Sequence, residues 1–115
     1  MVSLVIARAW DDVDAEHLAK VTALMGQLLT AQDPYEVGVE VWGCSGRAAG
    51  EVALNMQLIW GALTDWVELK PEEGQQAKAE MRRAAQEWLA LDLANRAAIE
   101  RYLDYWVHDV CGYGR

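Results

Sequence analysis

Glu100, Asp104, His108 and Cys111 are spaced by four, four and three residues. On an α-helix, at roughly 100° per residue, they form one stripe about 80° wide. Carboxylate, imidazole and thiolate all ligate metal ions, and a carboxylate four residues before a His can share one. A metal-dependent enzyme is therefore one expectation. Against it, the stripe lies nearly opposite Leu103, Trp106 and Val110, so it should face water, and an ion there would need ligands from another element that the sequence does not identify. We prefer a solvated face, with no metal and no cofactor.

His17 falls on the apolar side of its own helix, near Asp14. Such a His can be tuned for acid–base work. The plainer reading is a core-edge residue hydrogen-bonded to a nearby carboxylate. Residues 43–50, GCSGRAAG, place three glycines before a helix, where backbone amides could hold an anion with help from Arg47. The Gly-Lys-Ser/Thr ending of a P-loop and the GxGxxG spacing are absent. Arg47 also stands where a GxSxG elbow needs its second glycine. Cys44 near a helix start could have a lowered pKa, but a turn with Ser45 as a cap explains the segment. No coherent nucleophile, base and acid set emerges, so the expectation is a non-enzyme.

The elements that hold these residues read mainly as helices. Leu18, Val21, Leu24, Met25, Leu28 and Leu29 recur at helical spacing and predict a helix over 13–31. Asp11, Asp12, Asp14 and Glu16 at its start complement the helix dipole. Asp33-Pro34-Tyr35-Glu36 is a cap, a first-turn proline and a capping-box Glu. They open a short helix over 34–42, ended by Gly43. Val37, Val39 and Val41 alternate with Gly38 and Glu40, so the alternative is α+β, with a two-stranded ribbon from 2–7 and 36–42.

The next helix, 46–69, is apolar on two sides. Val52, Met56, Ile59, Leu63, Trp66 and Val67 make one; Leu54, Leu58, Ala62 and Leu69 make the other. Only Gln57, Thr64 and Glu68 form a polar strip. Such a helix is central in its bundle or shared with a partner, and a homo-oligomer is a corollary. Further helices are expected over 72–90 and, capped by Asp92, over 93–111, with Gly112 as the stop. The expected fold is all-α: one domain, 1–115, a compact bundle of four to five helices with 46–69 at its centre.

Composition narrows the function. Ten Lys and Arg stand against eighteen Asp and Glu, a formal net charge of −8. That excludes the basic face that direct nucleic-acid binding needs. An acidic chain can bind basic partners or mimic phosphate. Cys44 and Cys111 define no disulfide framework. No candidate helix is apolar enough to span a membrane, because Glu51, Asn55, Gln57, Asp65 and Glu68 interrupt the longest. A reduced cytoplasmic protein is the expectation.

The last third of the chain, EWLAL through RAAIERYLDYWVHDVCGY, resembles small uncharacterised proteins of high-GC actinobacteria and their phages. The resemblance implies cytoplasmic action in such a host, and no activity.

Six tryptophans and no phenylalanine remain to be explained. Trp60, Trp66, Trp88 and Trp106 fall on or beside buried faces and should pack as Phe does elsewhere. Trp10 and Trp42 lie at element ends, free for a partner. The first functional expectation is a protein-binding accessory or host-modulating factor. Its candidate contact residues are Trp10, Asp11, Asp12, Asp14, Glu36, Glu40 and Trp42. The second is an acidic phosphate mimic that blocks a nucleic-acid-binding protein, which needs these acids and Glu16 to converge on one surface.

Overall fold

The computed structural model describes residues 9–115. Among these residues five helices succeed one another: α1 (Asp12–Thr30), α2 (Pro34–Gly46), α3 (Glu51–Leu69), α4 (Gly74–Leu89) and α5 (Arg96–Asp104). A 3-10 turn, Pro71–Glu73, leads into α4, and a π-helical stretch, Tyr105–Val110, continues α5. No strand occurs among the described residues. Residues 36–42 lie inside α2, so they form no ribbon strand; residues 2–7 lie outside the described part. Helical spacing wins because Val37, Val41 and Cys44 share a buried face while Val39 points outward.

Three of the helix starts have a local side-chain cap. Asp11 caps α1 by accepting from the Asp14 amide at 2.9 Å. Asp33 caps α2 by accepting from the Tyr35 amide at 3.1 Å, with Pro34 in the first turn. Two starts differ from expectation. Asn95, not Asp92, caps α5, accepting from Ala98 N at 3.1 Å, while Asp92 closes a turn onto Ala94 N. The central helix begins at Glu51 rather than 46, and Ser45 does not cap it, because α2 runs on past Gly43 to Gly46.

The core is continuous and draws on all five helices. The Cα radius of gyration is 13.5 Å, what a close-packed chain of this length should show, at about 13 Å. Helix α3 touches each of the other four helices, which makes it the centre of the bundle. Its two apolar sides have different fates. Met56, Ile59, Trp60 and Leu63 are buried, whereas Leu54 and Leu69 are exposed and Leu58 half-buried.

Tryptophan fills the role of phenylalanine here. Trp60, Trp88 and Trp106 are fully buried. Each burial is worth up to ~5 kcal/mol by area. Trp88 meets Tyr102 edge-on at 5.2 Å, and Tyr102 lies 6.1 Å from Trp106. Trp88 Nε1 donates to Thr22 Oγ1 at 2.9 Å and Trp106 Nε1 to Glu87 Oε1 at 3.1 Å. Arg83 stacks over Trp106 at 4.4 Å and bonds Glu80 and Glu87, clamping α4 against the end of α5.

Candidate functional site

Helix α1 and helix α2 run side by side in opposite senses, and a buried hydrogen bond sets their register. His17 Nε2 lies 2.9 Å from Ser45 Oγ, with His17 4 % and Ser45 2 % exposed. Burial, with Lys20 adding to it, holds the His17 pKa below its ordinary value of 6.5, and Asp14 only partly opposes this. The imidazole's partner is thus a hydroxyl, not the carboxylate expected from sequence. Asp14 is occupied elsewhere: its Oδ1 accepts from Val52 N at 3.4 Å.

Ser45, His17 and Asp14 are residue types that could make a nucleophile, base and acid. Their setting is structural. A serine so deeply buried meets no substrate, and Asp14 is committed to the start of α3.

The stripe on the last helix is divided. Arg115 Nη2 lies 2.8 Å from Asp104, and Arg96 is 3.7 Å from Glu100. His108 Nδ1 lies 2.8 Å from Tyr113 O. The π-helical stretch shifts the helical phase at its C-terminal end, so Cys111 turns from the solvent side toward α3, where its thiol approaches Ile59 O at 3.8 Å. Burial first, then Glu80, pushes that thiol up to about 11. Glu51 and Asn55 of α3 do line a groove opposite Glu100, Asp104 and His108. Even so, no three His, Cys, Asp or Glu side chains converge as a metal site among the described residues.

The seven candidate contact residues also separate. Trp10 is only 5 % exposed; its indole donates to Leu93 O at 2.8 Å and Arg96 covers its ring at 4.6 Å. It is a core residue, not a free anchor. Asp11 caps α1 and Asp14 is buried, while Asp12 and Glu36 are exposed at opposite ends of the α1–α2 pair. With Ser45 beside His17, a rise of ~1.5 Å per residue puts Asp12 and Glu36 roughly 20 Å apart. The acids thus spread along the length of the α1–α2 pair rather than gathering at one end.

Two of the seven, Glu40 and Trp42, do share a site. They line an open groove of about 410 Å³ between α1 and α2. Leu24, Val39 and Cys44 make its apolar part, and Lys20 and Arg47 its cationic rim. Trp42 is 45 % exposed. Its indole lies across Gly61 of α3, where a Cβ would meet Cδ1 and Nε1 at 3.3 Å. Gly61 thus provides the flat seat that holds this ring at the surface. Arg47 stands just after the end of α2 and folds back toward Gly43, with Nη1 3.3 Å from where a Cβ would stand.

No protein-family model matches the chain, and neither does any curated protein or solved structure. The site must be read from its own chemistry.

Sequence reasoning placed Trp42 and Glu40 correctly at the surface but missed Lys20, Leu24 and Val39. Their signal was available in part: Lys20 lies one turn beyond His17. What could not be seen was that His17 meets Ser45, which brings Lys20 and Arg47 to one groove. No described helix is long and apolar enough to cross a membrane.

Proposed function

We propose that this protein acts by docking another protein over the Trp42 groove, as an accessory factor without catalysis of its own. The observation that carries this reading is the exposed Trp42 ring, seated on Gly61 beside an apolar groove with charged rims. A ring held in place loses little freedom when a partner covers it, and tryptophan is the residue most enriched among interface hot spots. Val39, also exposed, extends the apolar surface along α2. The resemblance drawn from the sequence of the last third would place that action in the cytoplasm of an actinobacterial host.

Affinity capture from the source host, with wild type and Trp42→Ala side by side, tests it. A partner held by the wild type and lost at least tenfold by Trp42→Ala is the expected result. A partner held equally by both, or turnover by the purified protein, would overturn it. Because Trp42 is exposed, its removal leaves the core in place.

A further inference from the structure

We infer that the Trp42 groove takes an acidic peptide segment, with an apolar side chain laid against Trp42 and carboxylates set against Lys20 and Arg47. This rests on the docking reading and names the chemistry of the partner. The reason lies in how the protein uses its scarce cations. Lys70, Lys78, Arg83, Arg96 and Arg115 each have a carboxylate within 3.9 Å. Lys20 and Arg47 have none within 4.0 Å among the described residues, although acids outnumber bases. Arg82 and Arg101 also stand apart from carboxylates, but on α4 and α5. Two uncompensated cations thus border one groove, and Glu40 on the same rim leaves it net positive.

Their placement is built into the fold. Arg47 is folded back toward Gly43 at the end of α2, where the helix dipole favours a cation. Lys20 is brought to the same groove by the buried His17–Ser45 contact. The chain's overall negative charge opposes an acidic ligand only at a distance. Screening at physiological salt acts over about 8 Å, so groups at contact dominate.

Two forces therefore predict opposite salt dependence, and that decides the matter. The probes are three capped pentapeptides: Asp-Glu-Leu-Asp-Leu, its amide counterpart Asn-Gln-Leu-Asn-Leu, and Lys-Lys-Leu-Lys-Leu. Binding is monitored by the Trp42 indole N–H resonance of the intact protein. The expected result is about fivefold tighter binding of the acidic probe than of its amide counterpart, the scale of two exposed ion pairs. Added salt should weaken that preference. Lys20→Glu with Arg47→Glu should abolish it, and Lys20→Gln with Arg47→Gln should leave the acidic and amide probes equal. Both sites are exposed, so these variants fold.

Equal binding of the three probes by the wild type, tighter binding of the basic probe, or affinity for the acidic probe that rises with salt would overturn the inference. So would self-association that covers Trp42 and excludes all three. Those outcomes leave the docking reading standing if Trp42→Ala still loses its partner. Loss of the docking reading shows instead as a partner indifferent to Trp42.

Discussion

Asp14 Oδ1 lies 3.4 Å from the amide nitrogen of Val52, so the first turn of α3 is capped from a different helix. Gly50, the residue before α3, has no side chain to do this and sits at φ 104°. A Cβ there would meet Asp14 Oδ1 at 2.5 Å. The tertiary cap and the glycine therefore require each other. Burial of the Asp14 carboxylate is offset by an amide at the positive end of a helix.

Asp14→Ala should destabilise the protein by about 1–2 kcal/mol, the scale of a lost helix cap. Gly50→Ala should cost at least as much, through backbone strain and the clash with Asp14. In the Asp14→Ala background the clash disappears and only the strain remains. Urea denaturation of both single variants and the double should show a smaller cost for Gly50→Ala in that background. Strictly additive costs would contradict the pairing.

His17 makes stability depend on pH. Its folded pKa lies below the unfolded value of 6.5, so the unfolded state binds more protons between the two. Stability from this group is then complete above pH 6.5 and is lost as pH falls from there toward the folded pKa. The slope in that window stays below the one-proton limit of about 1.4 kcal/mol per pH unit. Comparing wild type with His17→Gln between pH 5 and 8 (a range set by the ordinary imidazole pKa) isolates it. Parallel profiles would show that His17 does not titrate with unfolding.

Glycines in two helices should respond in opposite ways. At Gly38 a Cβ would meet Trp60 Cε3 at 3.1 Å and Cζ3 at 3.3 Å. Since Trp60 is fully buried and has nowhere to move, Gly38→Ala should part α2 from α3 and cost ~1–3 kcal/mol. At Gly26, inside α1, a Cβ meets nothing within 4 Å. There Gly→Ala should stabilise by about 0.5–1 kcal/mol. Thermal unfolding of the two variants reads the difference directly; the same sign for both would be the failure.

Trp60 Nε1 is buried without a hydrogen-bond partner among the described residues, whereas Trp88 Nε1 donates to Thr22. Both rings are fully buried, so replacement by Phe removes similar packing. Trp60→Phe also removes an unsatisfied donor, and Trp88→Phe removes a satisfied one. The first should therefore cost about 1 kcal/mol less than the second in denaturant titration. Equal costs would mean that a water meets the Trp60 indole.

Periodicity and capping chemistry made most of the helices legible. The apolar row from Leu18 to Leu28, and the Asp33-Pro34 start, are local signals with local causes, and both appear as read. The stretch 43–50 was misread for an equally physical reason. Gly43 reads as a stop and Gly46 as the start of the next helix, yet α2 continues through both because its last turn is packed. Ser45 is held there by His17, and Gly46 lies against Gln57, with Nε2 3.1 Å from where a Cβ would stand. A helix end carries little free energy of its own, so one tertiary contact can move it.

Trp10 and Trp42 mark the limit of what local pattern can settle. Read from the sequence, both fall at element ends, outside any clear apolar stripe. Trp10 is buried because the turn before α5 supplies the Leu93 carbonyl and the first residue of α5 the Arg96 guanidinium; Trp42 stays exposed because Gly61 gives it a seat without a cover. Helical class, the Asp33 cap and the faces that must be hidden were readable from the chain alone, since they arise from interactions within a few turns. Which tryptophan is free, and which cations meet beside it, emerged only when the helices packed, because both depend on contacts between residues far apart in the chain.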